Sequence, residues 1–350
     1  MQLGISFGYQ DWGAGLADAV TLAQEADRLG FHSGWVAEAY GTDAVTPATW
    51  LLAHTTNLKL GTAIAQMPAR APSMTAMTAT TLDLMSGGRF LLGIGASGPQ
   101  VSEGWYGDPY GKPLGKTREY VEIMRAVWAR QAPLEHHGEH YDIPFTGPGA
   151  TGLGKPLKII VHPRGPVPVY IASIGPKNVE LTAEIADGWL PIFFSPTRSQ
   201  AVWGPALEAG LAKAGGHKTI ADLDVAATVT VMVGDDVATL RDYAKPTVAL
   251  YVGGMGARGK NFYNDICRAY GYEEEAVTVQ DLFLEGKKAE AAAALPGEWL
   301  ELSNLVGPKS YIKERVGAFK EAGVTVLSVN PVGPNAVQTI ETLREIVDNA

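Results

Sequence analysis

The chain has one cysteine, Cys267, in 350 residues, so it forms no internal disulfide and has no thiolate cluster to hold zinc. Basic residues are also short: 28 lysines and arginines against 37 aspartates and glutamates give a net charge of −9. That excludes the basic stripe a nucleic-acid surface requires. No apolar run approaches the ~20 residues of a membrane span. Residues 1–5 carry neither the basic start nor the apolar stretch of a secretory signal. A soluble, cytoplasmic protein of a reducing compartment is expected, without nucleic-acid or membrane partners. Charged residues make up 19% against 46% hydrophobic, the reverse of a disordered composition. At ~150 residues per domain the length suggests two, yet barrels of this size routinely form one.

What is present is an alternation. Short apolar or β-branched runs are followed by segments of helical spacing, the pattern of βα units on a parallel sheet. Runs at 3–9, 33–38, 59–66 and 89–96 begin about thirty residues apart, one βα unit each. Thr46-Pro47 starts one helix, and Gly87-Gly88 stops another that runs from about 73 to 85. Further strands are expected at 169–173, 189–194, 225–233 and 324–329. Eight units without a Rossmann-type opening predict an α/β fold, a (β/α)8 TIM barrel forming a single domain over 1–350. Two irregular stretches, about 97–167 and 235–323, read as insertions. The first holds one helix near 116–130. The second is rich in Glu, Lys and Ala at 272–294 and is expected to be mostly helical.

In such a barrel the chemistry sits at the C-terminal strand ends, here 7–10, 38–43, 63–67, 95–100, 173–177 and 193–195. The fifth turn, Ala172-Ser173-Ile174-Gly175-Pro176-Lys177, runs from a strand through small residues into a proline that can start a helix. Free amides and the positive helix end would make an anion site there, with Lys177 adding charge; an ordinary helix start fits as well. The fourth turn, Gly95-Ala96-Ser97-Gly98-Pro99-Gln100, lets a flat ring or a phosphate approach the backbone, or merely permits a tight bend. Gly254-Met255-Gly256-Ala257-Arg258-Gly259 fits a dinucleotide fingerprint in letters, but that motif needs a preceding strand. A loop over the barrel mouth, offering Arg258 and Lys260 to an acidic ligand tail, is the expectation. The stretch Glu135-His136-His137-Gly138-Glu139-His140-Tyr141 lacks metal-ligand spacing and reads as a polar hairpin, so no metal is expected. Glu38 and Asp43 could serve as the carboxylate pair of a glycosidase, though no spacing singles them out.

Taken together, Gly61-Thr62-Ala63-Ile64-Ala65-Gln66, the run Thr81 through Phe90, and Leu92-Gly93-Ile94-Gly95 resemble the bacterial luciferase-like superfamily. Ser97-Gly98-Pro99-Gln100-Val101, Glu103-Gly104-Trp105, Gly175-Pro176-Lys177-Asn178 and Ala186-Asp187-Gly188-Trp189 resemble its branch that uses the deazaflavin coenzyme F420. The resemblance covers nearly the whole chain. It implies a barrel with insertions, commonly a homodimer, holding the flavin-like ring at the C-terminal mouth. It places a non-proline cis peptide at Ala63–Ile64, in a bulge with Ala65 behind the ring. Gly95, Ala96, Ser97, Gly98 and Gln100 would follow the ring or ribityl chain. Ala172, Ser173, Ile174, Gly175, Pro176 and Lys177 would meet the phosphate.

The sugar-phosphate dehydrogenases of that group have a catalytic histidine where this chain has Ala39, and a catalytic glutamate where it has Ala96. Their reaction is therefore not expected. Glu38 and Tyr40 become the nearest proton-handling candidates, with a structural role for Glu38 the alternative. The expected protein is an F420-dependent oxidoreductase. It would transfer a hydride between C5 of the deazaflavin and a small organic substrate: alcohol or carbonyl, imine, or activated alkene. The alternatives are an FMN-dependent monooxygenase on the same barrel, which needs a true flavin nitrogen at position 5, and a non-catalytic flavin-binding relative. Trp189, Phe193, Phe194 and Tyr251 are candidates for a substrate wall or for plain core.

Overall fold

The computed structural model describes residues 1–9, 12–333 and 335–349; Gln10, at the edge of one stretch singled out above, lies outside them. Eight strands run parallel: β1 Gln2–Gly8, β2 Ser33–Val36, β3 Lys59–Thr62, β4 Phe90–Gly95, β5 Val169–Ala172, β6 Gly188–Leu190, β7 Asp224–Val233 and β8 Val326–Pro331. Each pairs with the next, and the ring closes where Gln2 to Ile5 of β1 lie beside Val326 to Val329 of β8. Helices α1 Leu16–Arg28, α2 Val45–His54, α3 Pro72–Ser86, α4 Pro113–Ala129, α5 Pro176–Ile185, α6 Ser199–Lys213, α7 Lys309–Glu321 and α8 Ala336–Asp348 surround it. The protein is a (β/α)8 barrel.

Alternation along each strand builds two cores. Leu3, Ile5 and Phe7 of β1 and Phe90, Leu92 and Ile94 of β4 point outward and pack with the helices. The in-between positions fill the barrel: Trp35, Leu91, Tyr170, Leu190, Ala226 and Val326 form one inner cluster. Trp35 and Tyr170 meet edge to face with centroids 5.0 Å apart. Rings that large fit because glycine stands opposite them. A methyl group at Gly61 would lie 2.6 Å from the Trp35 ring, and one at Gly188 would lie 2.1 Å from Tyr170. Nearer the C-terminal end the inward positions are small or polar, so the packed interior opens into a mouth.

The first irregular stretch contains α4 and a two-stranded hairpin, His136–His137 with Asp142–Ile143. Glu119 of α4 anchors that hairpin: its carboxylate accepts from the amides of Glu139, His140 and Tyr141 and from His136 Nε2 at 3.1 Å. The second stretch is mostly helical, with helices at Val237–Ala249, Phe262–Ala269, Glu273–Leu284, Lys288–Ala293 and Gly297–Ser303. It also carries a short strand, Leu305–Gly307, that extends the wall beside the end of β7.

Candidate functional site

The mouth takes its shape from an interruption between β3 and β4. Their ladder ends at Gly61 with Leu91, and pairing resumes only where Ala65 and Gln66 face Ile94 and Gly95. The bulge between contains a cis peptide bond at Ala63–Ile64, as the resemblance implies. Thr62 bridges the gap: its Oγ1 donates to the Gly93 carbonyl at 2.7 Å and accepts from the Gly93 amide at 3.0 Å. Both hydrogen bonds that β4 would lose are replaced by one hydroxyl. Gly95 carries no side chain beside the bulge, and a methyl group there would stand 2.5 Å from Ile64 Cδ1 and 3.8 Å from Ala172 Cβ. Ala63, Ile64 and Ala172 are half-buried and pack on the inner cluster. Together they form a shelf at the barrel mouth. Ala65 is buried and contributes backbone only to the bulge.

Glu38, at the end of β2, is buried and fully engaged. Its Oε1 accepts from the Gln66 amide at 2.9 Å and its Oε2 from the Ala44 amide at 2.9 Å. Arg70 closes a bidentate pair on it, with both contacts at 2.7 Å. Four donors use the lone-pair sites a carboxylate offers. Glu38 is built to hold backbone, the alternative role read from the sequence. Tyr40 stands on the same loop and is 63% exposed. Arg70 was not singled out from the sequence, and Gln66 only as part of the third-strand motif; 32 and 28 residues separate them from Glu38, and no local spacing marks such contacts.

In the fifth turn, Gly175 caps α5 without a side-chain bond, and among the described residues no acceptor meets the amides of Gly175 and Lys177. Ser173 faces away: its hydroxyl pairs with Thr182 at 2.8 Å, and its carbonyl accepts from Trp189 Nε1. What Ser173 and Ile174 offer at this turn is main chain. Lys177 is exposed and reaches Glu180 at 2.9 Å. In the fourth turn Ala96, Ser97 and Gly98 are half-buried, Ser97 adopts a left-handed φ of 61°, and exposed Pro99 and Gln100 begin a short helical turn.

The aromatic candidates divide. Trp189 is fully buried between Phe194 and Trp203, outside the barrel wall, so Trp189 and Phe194 are core. Phe193 instead turns into a cluster with Tyr251, Tyr263 and Trp299, at 5.7, 6.3 and 5.6 Å. Its backbone, at a φ of 55°, is pinned where Tyr270 Oη donates to its carbonyl at 2.9 Å. Burial pushes the Tyr263 phenol up to about 12. Phe262 reaches the fifth turn, its ring 3.5 Å from where a Cβ on Gly175 would stand.

Two sequence motifs resolve into packing. Gly254 follows a helix and a π-helical turn, Leu250–Gly254, rather than a strand. Side chains at Gly253 and Gly254 would strike Phe283, at 2.5 and 2.4 Å. Those glycines allow close helix packing and form no phosphate loop. Arg258 pairs with Asp281 at 2.7 Å. In the histidine stretch, His137 Nδ1 bonds Asp142 at 2.6 Å, and among the described residues no three candidate ligands converge as a metal site would need. A cavity of about 750 Å³ lies at the opposite end of the barrel, lined by Lys59, Arg125, Tyr170, Asp187 and Asp224 among others, and none of the predicted site residues borders it.

A sequence model described as luciferase-like monooxygenase matches residues 1–326. The chain belongs to that family. Among luciferase-like relatives, a Mycobacterium tuberculosis protein named as a candidate coenzyme F420-dependent oxidoreductase is 44% identical over 348 residues, covering 98% of this chain and 99% of its own. A 5,10-methylenetetrahydromethanopterin reductase of Archaeoglobus fulgidus is 30% identical over 336 residues, covering 94% and 93%. The solved structure of a coenzyme F420-dependent tetrahydromethanopterin reductase from Methanopyrus kandleri superposes with a TM-score of 0.80. It covers 99% of this chain and 98% of that one at 24% identity, which supports the luciferase-like fold alone.

Proposed function

We propose that the protein is a coenzyme F420-dependent oxidoreductase acting on a small organic substrate: alcohol or carbonyl, imine, or activated alkene. The observation that carries this reading is the shelf of Ala63, Ile64 and Ala172 beside Gly95, on neighbouring strand ends with a helix start whose amides are open. A flat tricyclic ring fits the one and a phosphate the other. When bound, the deazaflavin supplies hydride chemistry at C5, and the protein supplies orientation and proton handling.

Ala63, Ile64 and Ala65 support the ring from behind, while Gly95, Ala96, Ser97, Gly98 and Gln100 follow its edge and ribityl chain. The turn from Ala172 to Lys177 takes the phosphate through the Gly175 and Lys177 amides and the positive end of α5. Phe193, Tyr251 and Tyr263 close one side of the mouth against water. Tyr40 is the proton donor or acceptor, because it is exposed on the loop after β2 while the Glu38 carboxylate is committed to four donors. Choice of the deazaflavin over FMN rests on the relative at 44% identity. An FMN-dependent monooxygenase is the second reading, favoured by the family's own description.

Gly175→Asp tests the phosphate assignment. The position has an ordinary φ of −67° and only Phe262 nearby, so the side chain fits without disturbing the fold. Its carboxylate should weaken coenzyme F420 binding at least tenfold in a fluorescence titration with an unchanged melting temperature. Unchanged affinity would show that the phosphate lies elsewhere.

The protein is further proposed to form a cytoplasmic homodimer. Met74, Met77, Leu84 and Met85 line one exposed face of α3, and Trp50 stands exposed on α2. Exposed apolar side chains gathered on one helix face suit an interface. No helix among the described residues is long and apolar enough to cross a membrane, and Cys267 is buried as a free thiol.

A further inference from the structure

The bulge under the proposed ring is fastened at its start by Thr62. Its exit is fastened by a buried charge pair that no functional reading has used. Glu38 receives the Gln66 amide from that exit, the Ala44 amide at the start of α2, and both terminal nitrogens of Arg70, two residues ahead of α3. Gln66 returns a bond, its Nε2 donating to the Glu38 carbonyl at 3.0 Å. Arg70 is itself held from outside, since its carbonyl accepts from Tyr120 Oη of α4 at 3.1 Å. The Glu38 side chain is 2% exposed and that of Arg70 is 19%, so the pair is shielded from water. A bidentate guanidinium–carboxylate pair adds direction as well as charge. Hydrogen bonding to Glu38 also raises the Arg70 pKa.

We infer that Glu38 and Arg70 are positioning residues: a clamp that sets the Ala63–Ile64 shelf at the height the cofactor ring requires. Three segments from the ends of two neighbouring strands, β2 and β3, meet on one carboxylate. The loop after β2 is tied through Ala44, the bulge through Gln66, and the approach to α3 through Arg70. The Glu38 carboxylate touches all three, and each of its oxygens accepts two hydrogen bonds. Removing the guanidinium leaves a buried carboxylate without its countercharge, which destabilises the surroundings of that carboxylate most. The shelf is directly attached. The inference rests on the proposed function only for what the shelf carries; the clamp itself is a property of the ligand-free chain.

The test uses the full-length protein with Glu38→Gln, Arg70→Met, Arg70→Lys and the double variant Glu38→Gln/Arg70→Met. Arg118→Met is the control, breaking a pair with Glu184 at 2.6 Å that joins α4 to α5. Amide hydrogen exchange is read over residues 38–44 and 63–70, alongside Kd for oxidised coenzyme F420. The clamp predicts at least tenfold faster exchange in those two segments for Glu38→Gln and Arg70→Met, with β1 and β5 unchanged. It predicts at least a tenfold rise in Kd, an intermediate effect for Arg70→Lys, and a double variant no worse than either single one. Arg118→Met should leave both segments and the affinity unchanged. Unchanged exchange at 63–70, loosening spread over the whole barrel, or loosened segments with undiminished affinity would each overturn it. Should the unaltered protein bind no deazaflavin, the functional reading fails, and hydrogen exchange still decides whether the clamp exists.

Discussion

At Gly95 the one neighbour a methyl group would strike is the far end of the Ile64 side chain, 2.5 Å away, whereas at Gly188 it would strike the Tyr170 ring, whose hydroxyl Asp224 holds at 2.6 Å. The first neighbour can swing aside; the second cannot. Gly95→Val should therefore fill the shelf and weaken coenzyme F420 binding more than tenfold while the melting temperature falls by only a few degrees. Binding at the original affinity would place the ring elsewhere. Single residues stand out in the sequence where the backbone itself signals, as at Gly95 beside the bulge and Gly175 at the start of α5. It was ambiguous for Glu38, whose type fits both a general acid and a buried anchor. The ambiguity is physical: what separates the two roles is the number of donors around the carboxylate, and those donors come from positions 44, 66 and 70.

At the scale of elements, the strands were legible because inward and outward positions differ in kind along β1, β4 and β7. Boundaries shifted where the chain turns for reasons of packing. The run at 189–194 reads as strand, but β6 ends at Leu190 because Phe193 takes a left-handed φ under the grip of Tyr270. The run at 59–66 splits around the bulge, a feature apolarity does not mark. Leu305–Gly307 escaped notice since three residues pairing only with the tip of β7 leave no periodicity to detect. The hairpin of the first insertion offers a pH test. His137 and Thr146 hold the Asp142 carboxyl down, from its ordinary 3.8 to about 2. Lys213 and Lys177 likewise hold Glu180 at about 2 against an ordinary 4.5. A carboxyl lowered on folding contributes stability above its unfolded value that is lost as pH falls through its folded one. Both contributions should therefore vanish between about pH 4.5 and 2. Asp142→Asn should flatten part of the acid limb of melting temperature against pH, and an unaltered limb would show that the hairpin bonds carry no such linkage.

The whole molecule has two unlike ends. The N-terminal end holds the charged cavity around Lys59 and Asp224, and the C-terminal end holds the shelf, the open amides and the aromatic cluster. The proposed cofactor site uses the second, with the shelf for the ring and the open amides of α5 for the phosphate. Beyond one chain, the methionine face of α3 should bury itself against a second copy. Met77→Glu should convert a dimer to a monomer in light scattering, and a species of unchanged mass would place any interface elsewhere. The proposed activity depends on which cofactor the protein binds. Purified protein titrated separately with coenzyme F420 and FMN, followed by fluorescence, tests it most directly. Tight binding of the deazaflavin with weak or no binding of FMN is the predicted result; preference for FMN would contradict it and make the protein a monooxygenase candidate, and binding of neither would remove the shelf and the fifth turn as a cofactor site.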